Sequence, residues 1–219
     1  MKKYLEILKK CPLFEDIDEK DLPVMLKCLG AKTDSFDKKY TVFSEGTAAG
    51  YIGIVLSGRV QTVQVDFYGN RSILGVTEAG EIFGEAFACV GNHPLPVSVI
   101  AAEPSEIMLI DSSHIIHTCQ KSCGFHQRLI FNLMRALAEK NIALHQKLAV
   151  TSKRTTREKL MEYLMLCAKR SGSPAFEVPF DRQELADYLE VERSGLSVEI
   201  GKLKKEGIID CYKNRFTLL

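Results

Sequence analysis

The sequence predicts an α+β protein in three parts: a compact β-barrel or jelly-roll sandwich, one long helix, and a C-terminal winged helix-turn-helix. Three observations predict it. Residues 40–110 hold short β-rich segments separated by glycine turns. Residues 123–151 carry apolar side chains in alternating steps of four and three. The last forty residues contain two short amphipathic helical stretches followed by a strand, tight turn and strand. At 219 residues the chain is long enough to bury two cores, and the expected divisions are 1–118, 119–150 and 151–219.

Residues 1–30 read as helical, with Leu5, Leu8, Leu22, Leu26 and Leu29 on apolar faces and Pro12 and Pro23 interrupting them. The strands expected next are 51–56, 60–65, 72–76, 97–101 and 107–110. Turns are expected at Gly46, Gly58, Gly69-Asn70, Gly80 and Gly91. In the long helix, Ile130, Met134, Leu137, Asn141, Leu144 and Leu148 follow the seam of a two-stranded coiled coil. Asn141, an amide within an apolar seam, can pair with its symmetry mate and fix register, which predicts a homodimer. The other reading is a helix packed on its own barrel, with Asn141 facing a wet edge.

Near the C-terminus, Leu185, Ala186 and Leu189 share one helical face and Leu196, Ile200 and Leu203 another, so two short helices can cross with Val191 filling their turn. Asp181 with Glu184 three residues on forms a capping-box pattern, and Gly207 is placed to close the second helix. Residues 208–212 and 215–219, joined by Lys213-Asn214, read as a wing. Arg193, Ser194, Ser197 and Lys202 would then face solvent from the second helix, where a recognition helix meets base edges and phosphates. The competing reading is a regulatory ligand-binding module whose winged helix docks protein.

Charge alone does not select nucleic acid, because the net charge is only +1 and residues 151–219 hold thirteen Lys or Arg against eleven Asp or Glu. Position is more informative: Lys153, Arg154, Arg157 and Lys159 precede the module, and Lys202, Lys204, Lys205, Lys213 and Arg215 lie on or after its second helix, placed for phosphates. Seven scattered cysteines, an odd number, suggest reduced thiols; the closest pair is Cys119 and Cys123, whose one special reading is a redox sensor. No apolar run is long enough to cross a bilayer and the first residues are charged, so a cytoplasmic protein is expected. A metal enzyme on a barrel would need clustered His and carboxylate ligands, yet residues 40–110 contain a single histidine, His93, and no Ser-His-Asp or Cys-His grouping is readable. Neither a metal site nor catalysis is expected.

Two stretches carry a family resemblance that spans nearly the whole chain. Gly80-Glu81-Ile82-Phe83-Gly84-Glu85 resembles the paired glycine-acid element, and Asp181-Arg182-Gln183-Glu184-Leu185-Ala186 leading to Arg193-Ser194 the reading module, of the cyclic-AMP receptor protein and fumarate-nitrate regulator (Crp/Fnr) family of bacterial transcription factors. The resemblance implies a double-stranded β-helix of the cyclic-nucleotide-binding kind over 1–118 that senses an effector, a dimerisation helix over 119–150, and a DNA-binding domain over 151–219. It implies a homodimer on a palindromic duplex, with RNA polymerase as a further partner and Gln183, Arg193, Ser194, Ser197 and Lys202 as DNA contacts. The effector pocket would be lined by Gly84, Glu85, Ala86, Leu95, Pro96 and Val97, with Lys140 and Leu144 reaching in from the long helix.

Departures from the family pattern narrow these expectations. The stretch 92–99 lacks the arginine that holds a cyclic phosphate in nucleotide-binding relatives, and residues 72–120 contain no Lys or Arg at all. Cyclic AMP and cyclic GMP are therefore not expected, and the expected effector is an uncharged or weakly acidic small molecule. Only Cys11 and Cys28 occur early, against an iron-sulfur cluster, and none of the scattered histidines is expected to ligate haem. In the reading module Glu190 occupies the turn where relatives often place glycine, and Val198 stands where a second basic reader is common.

Overall fold

The computed structural model describes residues 2–91, 93–116 and 125–219. Cys119 and Cys123, the expected helix start near 123 and the expected division at 118/119 lie outside the described residues. The chain forms two compact units, one of Met1–Gln64 with Gly75–Asn141, the other of Val65–Leu74 with Ile142–Leu219.

The first unit begins with α1 (Leu5–Leu8), a 3-10 turn (Pro12–Phe14) and α2 (Leu22–Cys28). Here the prolines start elements instead of interrupting them: Pro12 opens the turn and Pro23 lies in the first turn of α2, where a missing N–H costs nothing. Strands β1 (Lys32–Phe36), β2 (Thr41–Phe43), β3 (Tyr51–Ser57), β4 (Arg59–Val65), β5 (Arg71–Glu78) and β6 (Ile82–Phe83) follow, then α3 (Glu85–Val90), β7 (Ser98–Ala101), β8 (Ser105–Asp111) and α4 (Ser113–Ile116). They make two four-stranded sheets, ordered β1-β8-β3-β6 and β2-β7-β4-β5.

Burial explains why β3 reads as an unbroken apolar run. Ile52, Ile54 and Leu56 pack with the N-terminal helices in one core, while Val55 joins Val60, Phe83, Val99 and Ile107 in the other. The antiparallel register pairs Ile52 with Ile110 and Ile54 with Met108. Strands β1, β2 and β6, which sequence reading misses, are short or exposed: Lys32 to Ser35 are all exposed, so no apolar alternation marks them.

The helix α5 (Phe125–Thr151) contributes to both units. In the first, Leu129, Leu133 and Ala136 join the core with the N-terminal helices. In the second unit follow α6 (Thr156–Ser171), β9 (Ala175–Glu177), α7 (Arg182–Leu189), α8 (Arg193–Lys205), β10 (Ile209–Tyr212) and β11 (Arg215–Leu218), with sheet order β10-β11-β9. The wing thus has a third strand, β9, whose three residues are too few to give a readable pattern. Gly172 ends α6 in the left-handed region, and a Thr155–Glu158 capping box starts it.

Candidate nucleic-acid interface and effector site

The crossing of α7 and α8 is built from their apolar stripes. Leu185, Ala186 and Leu189 are buried, as are Leu196, Ile200 and Leu203. Burying six such side chains accounts for the fixed placement of a helix as short as the eight-residue α7. Its start is pinned reciprocally: Asp181 Oδ1 accepts the Glu184 amide at 2.9 Å, and Glu184 Oε2 accepts the Asp181 amide at 2.9 Å. Its end is Glu190, at φ 54° and ψ 56°, the left-handed geometry that glycine adopts without cost.

With the apolar stripe buried, α8 turns Arg193, Ser194, Ser197, Val198 and Lys202 outward, all exposed. Among the described residues Arg193 has no ion-pair partner, so its five N–H donors are available to an external acceptor. The Ser197 hydroxyl donates to Arg193 O at 3.0 Å and keeps its lone pairs for accepting. Lys202 pairs with Glu199 at 2.6 Å, and Gln183 Nε2 donates to Asp187 Oδ1 at 2.8 Å. These two would have to exchange an internal partner for DNA. Glu192 precedes α8 without a side-chain cap, which leaves the first-turn amides to solvent, an arrangement suited to a phosphate.

The basic residues expected at phosphates divide into two groups. Lys153 pairs with Glu162, Arg157 with both oxygens of Glu206, and Lys204 with Asp210, while Lys159 donates to Glu190 O. Arg154, Lys205 and Arg215 are exposed and have no such partner among the described residues. In the wing, Lys213 adopts φ 53° and its ammonium stands 5.6 Å over the ring of the exposed Tyr212.

Of the expected effector residues, Gly84, Glu85 and Ala86 form the start of α3, Lys140 reaches Glu85 from α5, and Leu95 is hydrogen-bonded to Gly46 and Thr47. Gly84 is required at the α3 N-cap: φ is 78°, and a Cβ there would meet the Phe43 ring at 2.8 Å and Tyr51 O at 3.1 Å. That turn buries Glu85, whose Oε1 lies 2.8 Å from Lys140 Nζ on α5; the same ammonium donates to Ile82 O. Glu85 Oε2 is buried with no donor among the described residues. Leu95 and Val97 are buried, whereas Ala86 and Pro96 are exposed. Leu144, expected in both the pocket and the seam, is 58% exposed on α5.

Along α5, Met134, Asn141, Leu144 and Leu148 are exposed, while Ile130 and Leu137 are half-buried, Leu137 against the first unit's core. Phe131 and Ile142 widen the exposed apolar face, and sequence reading misses both because they fall beside the heptad positions, though each lies within one turn of a seam residue. It also misses Lys147, a buried lysine whose only sequence signal is that it stands off the exposed stripe.

Comparison with known proteins matches the two folded parts of the chain. Residues 33–122 match the cyclic nucleotide-binding domain and residues 158–219 the Crp-like helix-turn-helix domain. The transcriptional activator protein FnrL of Cereibacter sphaeroides is 23% identical over 190 residues, covering 80% of this chain and 71% of that one. Among solved structures, FixK2 of Bradyrhizobium japonicum superposes with a TM-score of 0.67 at 19% identity, covering 86% of this chain and 92% of that one. The c-di-GMP responsive global regulator CLP of Xanthomonas campestris gives 0.75 at 18% identity, over 92% and 99% of the two chains. Both structures share the fold.

Proposed function

We propose that this chain, which belongs to the Crp/Fnr family of transcription regulators, acts as a homodimer on a two-fold-symmetric DNA site under the control of a small molecule bound near Glu85. The observation that carries the DNA reading is the division of α8, with Leu196, Ile200 and Leu203 buried behind an exposed Arg193, Ser194 and Ser197. Arg193 contacts a guanine edge bidentately, and Ser194, Ser197, Gln183 and Lys202 contact bases or phosphates. Pairing of two protomers along the Met134, Asn141, Leu144 and Leu148 face of α5 places two such helices in successive major grooves, about 34 Å apart.

Residues 1–118 sense, 119–150 dimerise and 151–219 read DNA. The absence of Lys and Arg from 72–120 supports an effector without a strong anionic charge, in place of a cyclic nucleotide. RNA polymerase is the expected further partner, the cytoplasm the expected compartment, and no catalysis is assigned; among the described residues no helix is long and apolar enough to cross a membrane.

Titration of the full-length protein with a random-sequence duplex at several salt concentrations tests the DNA reading. Binding should weaken linearly on a log-log salt plot, because phosphate contacts release counterions. Absence of salt-dependent duplex binding would point instead to a winged helix that docks protein.

A further inference from the structure

We propose that the ammonium of Lys147 is a positioning group for DNA reading, tying the α7–α8 turn to α5 and to the hairpin between β4 and β5. The inference rests on the DNA-reading function of α8. Residues 65–74 of that hairpin belong to the same unit as the reading module. Lys147 Nζ donates to Ile73 O at 2.6 Å and to Tyr188 O at 2.8 Å, and stands 3.8 Å from Glu190 Oε1. It lies 4.3 Å over the Tyr188 ring, and its side chain is 8% exposed. An ammonium has three donors; this one gives two of them to carbonyls of two separate segments, β5 and the end of α7, and faces the Glu190 carboxylate at ion-pair range.

Each partner has a physical reason to be there. Tyr188 lies in the last turn of α7, where carbonyls lack helical partners and a cation is favoured. Glu190 bears the cost of a left-handed conformation in a non-glycine residue and supplies in return the carboxylate that faces the buried charge. Its own carbonyl accepts from Lys159 at 3.2 Å. The hairpin is held a second time by Arg71, 4.0 Å from Asp187 on α7. The substitution of glutamate in the turn is thereby explained: strain, buried cation and hairpin carbonyl form one cluster.

The charged and titratable groups facing Lys147 are Glu190 from the turn, Lys159 from α6, Tyr188 and Asp187 from α7, and Arg71 from the hairpin. Burial brings the Lys147 ammonium down to about 8, against the pull of Glu190. Burial raises Tyr188, so it stays neutral. Lys147 should thus lose its charge above neutral pH while the lysines and arginines facing DNA keep theirs. Stability moves the other way. Because the folded value lies below the unfolded one of 10.5, this group's contribution to stability rises between about pH 8 and 10.5. A purely structural role would not lower DNA affinity while leaving melting intact.

The test uses the full-length protein and a duplex that the wild type selects from random sequence, with affinity and melting measured at pH 7, 8 and 9 and fixed ionic strength. Wild-type affinity should fall roughly tenfold from pH 7 to 9, one unit past the titration, with no drop in melting temperature from this group. Lys147→Met should bind more weakly at pH 7 and lose that pH dependence. Glu190→Gln keeps both carbonyl contacts and serves if Lys147→Met fails to fold. Its affinity loss should begin at lower pH, since the group that holds the proton on Lys147 is gone. A folded Lys147→Met with wild-type affinity and pH profile, or a Glu190→Gln profile that does not shift, overturns the inference. If the wild type binds no duplex, the DNA-reading function falls and this inference with it.

Discussion

Lys140 Nζ on α5 lies 2.8 Å from Oε1 of Glu85, the first residue of α3, and the other carboxylate oxygen is buried without a donor among the described residues. A fully buried carboxylate is therefore held by one half-exposed cation from another element. Residues 72–120 hold no Lys or Arg, so the counter-charge to Glu85 comes from the long helix.

Removing one partner should cost more than removing both. Lys140→Met leaves Glu85 buried without a counter-charge and should lower stability by about 1–3 kcal/mol, less than for a fully buried pair because Lys140 is partly solvated. Adding Glu85→Gln should recover most of the loss. Urea unfolding of the two single variants and the double variant measures the coupling, and additive effects would remove the pair from the account.

Arg193→Ala should weaken binding to a specific duplex by roughly 1–3 kcal/mol and relax preference at one base position in each half-site. Lys205→Ala should weaken all sequences alike and flatten the salt slope. Competition titrations with specific and scrambled duplexes separate the two. Equal losses on both duplexes for Arg193→Ala would make it a phosphate contact.

The exposed face of α5 predicts a dimer that a charge should break. Leu148 is 62% exposed, so Leu148→Glu should leave the fold of each protomer intact while sedimentation shifts to the 24.5 kDa monomer. A variant that still sediments as a dimer places the contact elsewhere.

Acid should act through carboxylates at or near the surface. Asp66, Glu106, Glu158, Glu206 and Asp210 all sit below their ordinary range; for Glu206 the cause is Arg157, for Asp210 Lys204, for Asp66 the Asn70 side chain. A depressed folded value means stability is fully present above the unfolded one, about 4, and is lost as pH falls through the folded one. Melting temperature should stay level from pH 7 to 5 on this account and fall below about pH 4. A decline already complete at pH 5 would need another group.

Much of this was legible in the chain because the physics is local. The capping box at Asp181, the apolar stripes of α7 and α8 and the glycine at 84 each follow from spacing or from a backbone only glycine tolerates. Strands β1, β2 and β9 were not legible, since their pairing comes from neighbours distant in sequence and not from their own alternation. Lys147 escaped for a related reason: a lysine in an amphipathic helix reads as solvated, and only the carbonyls of Ile73 and Tyr188 show otherwise. The turn glutamate could be seen as a departure from family pattern, but its partner could not be named from the sequence.

The central claim is that two copies of α8, paired through α5, read one duplex. Selection of bound fragments from random DNA by the full-length protein, followed by sequencing, tests it most directly. Inverted half-sites spaced about one helical turn, 10–10.5 base pairs, centre to centre are predicted. Enrichment of a single unpaired half-site, or of no sequence at all, would contradict it.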